Sequence, residues 1–110
     1  MRDAPCCLQV VTTTGGKAEA ERLARSLVEQ RLAACVQIAG PIMSVYRWQG
    51  DLETAEEWLC AVKTTAERYQ EVEKAIREAH SYEVPEIVAF EIKEGSNDYL
   101  TWLCQQVNDK

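Results

Sequence analysis

The chain has 110 residues, of which 46% are hydrophobic and 27% charged, and this composition predicts one domain, 1–110, around a single core. Its twelve basic residues are scattered and its net charge is −6, so neither nucleic acid nor an anionic membrane is expected as a partner. The N-terminal apolar run is too short for a signal peptide, and no stretch reaches the roughly 18 apolar residues of a membrane span. Together these features predict a cytoplasmic protein.

The first predicted elements are a central strand over residues 8–13 and a helix that starts at Lys17. The helix should end near Arg31, a basic residue that suits the negative end of the helix dipole. Between the two elements, Gly15 and Gly16 predict a turn; they superficially resemble a phosphate cradle but lack the Walker spacing. The apolar face of the helix, which recurs at helical spacing, is formed by Ala20, Leu23, Ala24, Leu27 and Val28.

A long β-hairpin is the most informative feature of the chain. Its predicted arms, 36–47 and 52–63, lack helix-start signals and reverse at residues 48–51. An arm of about ten residues spans on the order of 33 Å, whereas a domain of this size has a radius of gyration of roughly 13 Å. The tip, which carries Tyr46 and Trp48, is therefore expected to project and to be covered by another copy of the chain.

Two local features modify the hairpin. Pro41 interrupts its first arm and predicts a bulge, a bend or an edge position, because proline cannot donate to a ladder. The polar run 53–57 opens the second arm and is expected to lie nearer solvent than the apolar residues that follow it.

The second half of the chain predicts helix, strand and helix. A helix is expected over residues 66–80, with Thr64 or Thr65 as its N-cap, and a strand over residues 86–92. Ser96 or Asn97 then caps a terminal helix that carries Trp102 on its flank. The core stripe of the 66–80 helix is formed by Tyr69, Val72, Ile76 and Ala79.

This order of elements predicts an α+β fold, a ferredoxin-like βαββαβ sandwich with an extended β-hairpin and an additional C-terminal helix. Two helices cover one face of the sheet and leave the other face open. The open face is a second, independent reason to expect oligomerisation.

The cysteines favour a structural role. There are five, no CxxC motif occurs, and most fall within apolar strand or helix patterns, as buried thiols do in a reducing compartment. A disulfide framework or a thiolate metal site is the alternative, with the adjacent Cys6 and Cys7 as a candidate pair for a soft metal.

The segment 80–86 is the densest polar cluster. Imidazole and carboxylate suit divalent and cupric ions, so His80 and Glu86 are candidate metal ligands. The alternative is structural: His80 at the end of a helix interacts favourably with the helix dipole, and Glu86 pairs with Lys63 or another cation. The chain's many aromatic residues predict either a ligand cleft at a subunit boundary or a plain assembly contact.

Five segments in order and spacing make the chain resemble the CutA divalent-cation-tolerance family, over residues 8 to 107. They are Leu32-Ala33-Ala34-Cys35-Val36, Ser44-Val45-Tyr46-Arg47-Trp48-Gln49-Gly50, Lys63-Thr64-Thr65, Tyr82-Glu83-Val84-Pro85-Glu86 and Tyr99-Leu100-Thr101-Trp102. The resemblance implies a homotrimer built like the PII signalling proteins, a link to copper and other divalent ions, and no established enzymatic activity.

The same resemblance places a copper site of some members at three positions of this chain. Where those members have a cysteine and two adjacent histidines, this sequence has Thr12, Ala79 and His80, and Ser81 replaces the proline that usually follows. A metal site here would therefore need His80 with new partners, such as Glu86 or groups of a neighbouring subunit.

Two hypotheses for function follow. The first is a non-enzymatic cytosolic homotrimer associated with divalent-metal (copper) tolerance, which requires no cofactor and binds Cu(II) or another divalent cation weakly. The second is a PII-like regulator that binds a small anionic metabolite or nucleotide in an intersubunit cleft. That cleft is predicted to be lined by Tyr46, Trp48, Lys63, Tyr82 and Trp102. An acylphosphatase-like hydrolase on the same fold lacks a convincing phosphate site of Arg and Asn.

Overall fold

A computed structural model describes residues 6–108, which form four strands, three α-helices and one turn of 3₁₀-helix. The elements are, in chain order, β1 (Cys7–Thr14), α1 (Lys17–Glu29), β2 (Cys35–Trp48), β3 (Asp51–Thr65), the 3₁₀ turn (Ala66–Arg68), α2 (Tyr69–Ala79), β4 (Val88–Glu91) and α3 (Asn97–Gln106).

The strands form one antiparallel sheet in the order β2-β3-β1-β4. Each crossover helix returns the chain past a neighbouring strand, which is the split βαβ arrangement. The predicted α+β ferredoxin-like fold, with an extended hairpin and an additional C-terminal helix, is confirmed.

The hairpin of β2 and β3 reverses where the sequence predicts it. Trp48 pairs with Asp51, and the two turn residues, Gln49 and Gly50, have φ of 52° and 88°. Positive φ at both positions defines the tight turn that matches the twist of paired strands. The protein measures 52 × 25 × 21 Å, so its long axis is about twice either of the others, as a projecting hairpin requires.

The predicted irregularity at Pro41 is confirmed, since the register of β2 against β3 shifts between Ala39 and Ile42. Beyond this shift the strands continue without cover from the helices. Met43, Val45 and Leu52 in this part of the hairpin are 60–75% exposed.

The main core lies between the sheet and helices α1 and α2. Its buried members are Val10, Leu23, Leu27, Leu32, Ala33, Val62, Val72 and Ile76. A second cluster joins α3 to the sheet through Cys7, Ala34, Leu103 and Val107. Cys7 and Val10 are three residues apart on one strand and so face opposite sides, which places α3 on the side away from α1 and α2. The open face is thus covered at one end by α3, which the sequence did not indicate.

Several predicted details at the helix ends are wrong. The segment 66–68 is 3₁₀ rather than α-helix, and Thr65 precedes it without a side-chain capping bond. The Thr64 hydroxyl donates instead to the carbonyl of Leu32, 2.7 Å away. Ser96, by contrast, caps α3 as predicted, because its Oγ accepts the N–H of Tyr99 at 3.2 Å.

Two further expectations are corrected. The last strand is only four residues long, shorter than the predicted 86–92. Arg31 follows α1 with φ of 59°, but its guanidinium donates to the carbonyl of Gln106 at 3.0 Å. Arg31 therefore stabilises the C-terminal end of α3, where unpaired carbonyls concentrate negative charge.

The register shift generates a stability prediction. A Cβ on Gly40 would lie 2.6 Å from the Trp58 ring and 3.2 Å from the carbonyl oxygen of Glu57, so Gly40→Ser should lower the free energy of unfolding by about 1–3 kcal/mol. The matched control is Gly16→Ser, because its Cβ meets nothing within 4 Å and serine is a good N-cap for α1. Denaturant unfolding at one chain concentration measures both; equal stability of the two variants would contradict the predicted clash.

Candidate functional site

A cavity of about 530 Å³ runs along the outer part of the hairpin, from the point where the hairpin leaves the body of the protein to Trp48 beside its turn. Its wall is formed by the end of β1, the outer parts of β2 and β3, and the segment that follows α2. The lining residues are Thr13, Ser44, Val45, Tyr46, Trp48, Glu57, Tyr82, Glu83, Val84 and Glu86. Clefts of this size accommodate small molecules.

A buried carboxylate, Glu57, organises the cavity. It is only 7% exposed and accepts hydrogen bonds from three hydroxyl groups. Ser44 donates to Oε1 at 2.6 Å, while Tyr82 and Thr13 donate to Oε2 at 2.8 and 3.4 Å. Burying a charge without partners is costly, so these donors are what allow Glu57 to stay inside.

Tyr82 has a pKa well above its ordinary value, because burial disfavours the phenolate and because the phenol donates to the Glu57 carboxylate. It remains a neutral donor throughout the physiological range. Tyr82 thus fixes the segment after α2 against β3.

His80 is held by backbone groups on both ring nitrogens, and its side chain is fully buried. Nε2 lies 2.6 Å from the carbonyl oxygen of Thr13, which can only accept, so Nε2 carries the hydrogen. The N–H of Tyr82 donates to Nδ1 at 3.1 Å, so Nδ1 is unprotonated. These partners assign the Nε2–H tautomer of the neutral ring.

Glu19 on α1 secures the same segment from the other side. Its carboxylate accepts the backbone N–H of Ser81 at 3.0 Å and the Ser81 hydroxyl at 3.2 Å. The serine that replaces the proline expected from the family resemblance therefore has a structural partner. The path from His80 to Tyr82 is fixed by contacts with three other elements.

The arrangement does not supply a ready metal site within one chain. Both nitrogens of His80 are engaged, and a metal could reach Nδ1 only after the Tyr82 N–H bond breaks. Thr12, which stands where the family resemblance implies a cysteine ligand, has a buried hydroxyl without a hydrogen-bond partner, and Ala79 has no side-chain donor atom. Within residues 6–108, no three His, Cys, Asp or Glu side chains are grouped to hold a metal ion.

The structure brings together some of the predicted site residues. Tyr46, Trp48, Tyr82 and Glu86 line the cavity. Lys63 does not: its Nζ donates to Oε1 of Gln37 at 2.7 Å, across the β2–β3 pair and nearer the centre of the sheet. Metal binding by His80 and Glu86 stays a prediction.

The other residue predicted to line the cleft, Trp102, lies on α3 and packs against Tyr99, with ring centroids 5.5 Å apart. It is absent from the cavity wall of a single chain. A cleft that includes Lys63 and Trp102 as well would require a second subunit, and it also stays a prediction.

Sequence reasoning missed Glu57, because it assigned the polar run 53–57 to solvent. Glu57 precedes the register shift along β3 and lies opposite Ile42, with Ser44 diagonally across on the neighbouring strand. A signal was available: in a strand, Glu57 shares a face with Leu59 and Ala61, which are apolar. An acidic residue at the end of an apolar strand face indicates a carboxylate that is a candidate for burial.

The five cysteines lie apart from the cavity and are all free thiols. Burial raises the pKa of Cys60 to about 11, and burial with the neighbouring Cys104 raises that of Cys7 to about 11 as well. Cys7 and Cys60 are small buried hydrophobes, as predicted.

Comparisons with known proteins place these features in a family. A family model described as CutA1 divalent ion tolerance protein matches residues 8–106. The divalent-cation tolerance protein CutA of Thermus thermophilus is 44% identical over 94 residues, which cover 86% of this chain and 91% of that protein. A solved structure of the Thermus thermophilus protein matches with a TM-score of 0.89 and 41% identity, over 91% of this chain and 97% of that one.

The names of the relatives differ in compartment. A structure from Archaeoglobus fulgidus, with a TM-score of 0.89 and 39% identity over 92% of this chain and 98% of that one, is named periplasmic. A rice relative, 39% identical over 86% of this chain and 53% of its own length, is named chloroplastic. No helix within residues 6–108 is long and apolar enough to cross a membrane.

The hydrogen bond between Tyr82 and Glu57 generates a pH-dependent prediction. At neutral pH, Tyr82→Phe should lower the free energy of unfolding by about 2 kcal/mol, since it removes a donor to a buried charge. The folded-state pKa of Tyr82 is raised above 10.0, so this stabilisation is complete below pH 10 and is lost as pH rises toward the folded-state pKa. The difference between wild type and Tyr82→Phe should therefore narrow above pH 10.

The control is Tyr46→Phe, which removes another phenol of the cavity and leaves the Tyr82–Glu57 bond in place. Denaturant unfolding of the three proteins between pH 7 and 11 measures the effect. A constant difference across that range would contradict the role of the Tyr82 phenol.

Proposed function

Because the chain belongs to the CutA1 divalent ion tolerance family, we propose that it is a cytoplasmic homotrimer. In this proposal the trimer is associated with tolerance of divalent metals, copper among them, and binds metal ions weakly. The match over residues 8–106 is the observation that carries the family-level function. The family is named for tolerance of divalent ions and not for a reaction, which supports a non-enzymatic role.

The open sheet face supports the trimer. Phe90 and Val88 on β4 are 58% and 41% exposed, and they pair with Gln9 and Val11 on the side of the sheet away from α1 and α2. Burying one such apolar side chain fully contributes about 1.5–3 kcal/mol. Mutual coverage by copies of the chain would supply this energy.

The projecting hairpin supports the same assembly. Its exposed apolar residues lie beyond the reach of the chain's own helices, so only another molecule can cover them. In a closed ring every copy of the chain makes the same contacts. The resemblance to PII-like trimers suggests three copies in that ring.

The first prediction is the sedimentation behaviour. In analytical ultracentrifugation the wild type should sediment at about three times its 12.4 kDa chain mass. Phe90→Glu should increase the monomer fraction by about tenfold or more, because it places a charge in the proposed interface. Val28→Glu, at a 41% exposed position on α1, is the matched control and should leave the trimer intact. A wild type that sediments as a folded monomer would refute the trimer.

The charge of the cavity favours a cation over the anionic ligand of the PII-like alternative. Glu57, Glu83 and Glu86 contribute three carboxylates, and no Lys or Arg is among the residues that line the cavity. An anion would need positive groups from a neighbouring subunit. We therefore retain the divalent cation, with Glu86 and groups of a second subunit as its proposed ligands.

Cu(II) titration by calorimetry tests this part. Glu86→Gln should weaken Cu(II) binding by about tenfold, the equivalent of 1.4 kcal/mol, because it removes a charged oxygen ligand. Glu67→Gln, an exposed position on the 3₁₀ turn, is the control and should match the wild type. The variant His80→Ala tests whether the imidazole is a Cu(II) ligand. If its isotherm is identical to that of the wild type, His80 is not part of the site. Identical isotherms for wild type and Glu86→Gln would remove Glu86.

A further inference from the structure

We propose that the cavity alongside the hairpin binds a small organic cation of the ammonium type. This inference concerns a different ligand class from the divalent metal proposed above and does not depend on metal binding. It rests on three properties of the cavity: its aromatic walls, its buried negative charge and its volume.

The walls present aromatic rings. Tyr46 and Trp48 on β2 and Tyr82 on the segment after α2 all line the same space. Tyr46 and Trp48 are 43% and 41% exposed, so their rings are accessible to a ligand. The faces of Trp and Tyr attract a cation within about 6 Å, and ammonium groups are the ligands that such walls recognise.

The buried carboxylate of Glu57 supplies negative charge but has little capacity left to bind a metal ion. Both oxygens of Glu57 already accept hydroxyl hydrogens, from Ser44 on one side and from Tyr82 and Thr13 on the other. These three donors occupy three of the roughly four lone-pair positions of the carboxylate, so Glu57 offers a metal ion at most one further position. An organic ammonium ion needs only the negative potential, which acts over several ångströms in a partly desolvated cavity.

Two further carboxylates extend this potential to the more exposed part of the cavity. Glu83 and Glu86 both line it, and both are solvent-exposed. Together with Glu57 they make the lining uniformly acidic. Such a field concentrates cations and excludes anions of the same size.

The volume distinguishes an organic cation from a bare ion. About 530 Å³ falls within the range of small-molecule clefts, whereas a dehydrated metal ion needs several ligands at about 2 Å. Within residues 6–108, the three carboxylates are too far apart to form such a set of metal ligands. Ring faces and dispersed charge instead match a methylated or alkylated ammonium group.

The experiment uses the full-length ¹⁵N-labelled chain and a pair of probes with one shape and different charge. Choline is the cation, and 3,3-dimethylbutan-1-ol is its neutral isostere. The indole N–H signal of Trp48, assigned from the Trp48→Phe spectrum, should shift saturably with choline chloride. The alcohol and sodium chloride should leave it in place. Equal shifts with choline and the alcohol would overturn the proposal, as would a response to choline that does not saturate.

Variants then localise the binding. Trp48→Leu should raise the Kd for choline at least tenfold, measured by calorimetry, and Glu86→Gln should raise it about threefold. Tyr99→Leu replaces an aromatic residue of similar exposure on α3 and should leave the Kd unchanged. Unchanged affinity for choline in both Trp48→Leu and Glu86→Gln would refute the site. If Trp48→Leu does not fold, unchanged affinity in Glu86→Gln alone refutes it.

Sedimentation of each sample separates this inference from the proposed assembly. Saturable choline binding by a monomer would support the cavity and refute the trimer. A trimer that shows no charge-dependent response to choline would support the proposed assembly and refute the ligand site.

Discussion

A buried carboxylate has to be hydrogen-bonded, and this requirement at Glu57 connects most of the features of the protein. Its three donors come from three separate parts of the chain: β1, β2 and the segment after α2. Loss of any one leaves a charge under-solvated inside the fold. The position of the hairpin relative to the body is therefore coupled to the conformation of the segment 80–86.

The register shift at Gly40 and Pro41 determines where this coupling occurs. Before it, β2 and β3 are covered by α1 and α2; after it, the two strands continue as a single layer. Glu57 pairs with the first residue beyond the shift, Ile42, so the carboxylate lies at the boundary between body and hairpin. Gly40 allows this boundary to be tight, because the Trp58 ring occupies the space that a side chain would need.

The sequence was sufficient for features that depend on local periodicity. Helical spacing located α1 and α2, and alternation with a turn signal located the hairpin to within two residues at each end. It was insufficient where a contact joins distant parts of the chain. The Thr64 hydroxyl donates to the carbonyl of Leu32 and does not cap the helix that follows it. Glu57, in the acidic run before Trp58, is buried because it has hydrogen-bond donors up to 44 residues away.

The same limit explains the candidate site. Residue type alone selects Tyr46, Trp48, Tyr82 and Glu86, because aromatic residues with a polar group suit clefts and interfaces and a carboxylate suits a metal ion, and all four line the cavity. Residue type also selects Lys63, as a cationic contact for an anionic ligand, yet its amine donates to Gln37 on the adjacent strand in the single chain. Whether a side chain lines the cavity depends on register and on the neighbouring strand, neither of which residue type specifies.

The proposed assembly and the proposed ligand would place competing demands on the hairpin, and this competition constrains both proposals. Tyr46 and Trp48 are each about two-fifths exposed in the single chain. A neighbour that covered these rings completely would close the cavity, whereas a neighbour that covered only their outer faces would give it a second wall. In the second arrangement a ligand contacts two subunits at once and binds the assembled form more tightly than the separated chains. Mass action then requires the ligand to stabilise the assembly in proportion to that difference in affinity. In the proposed assembly, ligand occupancy and subunit association would thus act on the same two side chains, Tyr46 and Trp48.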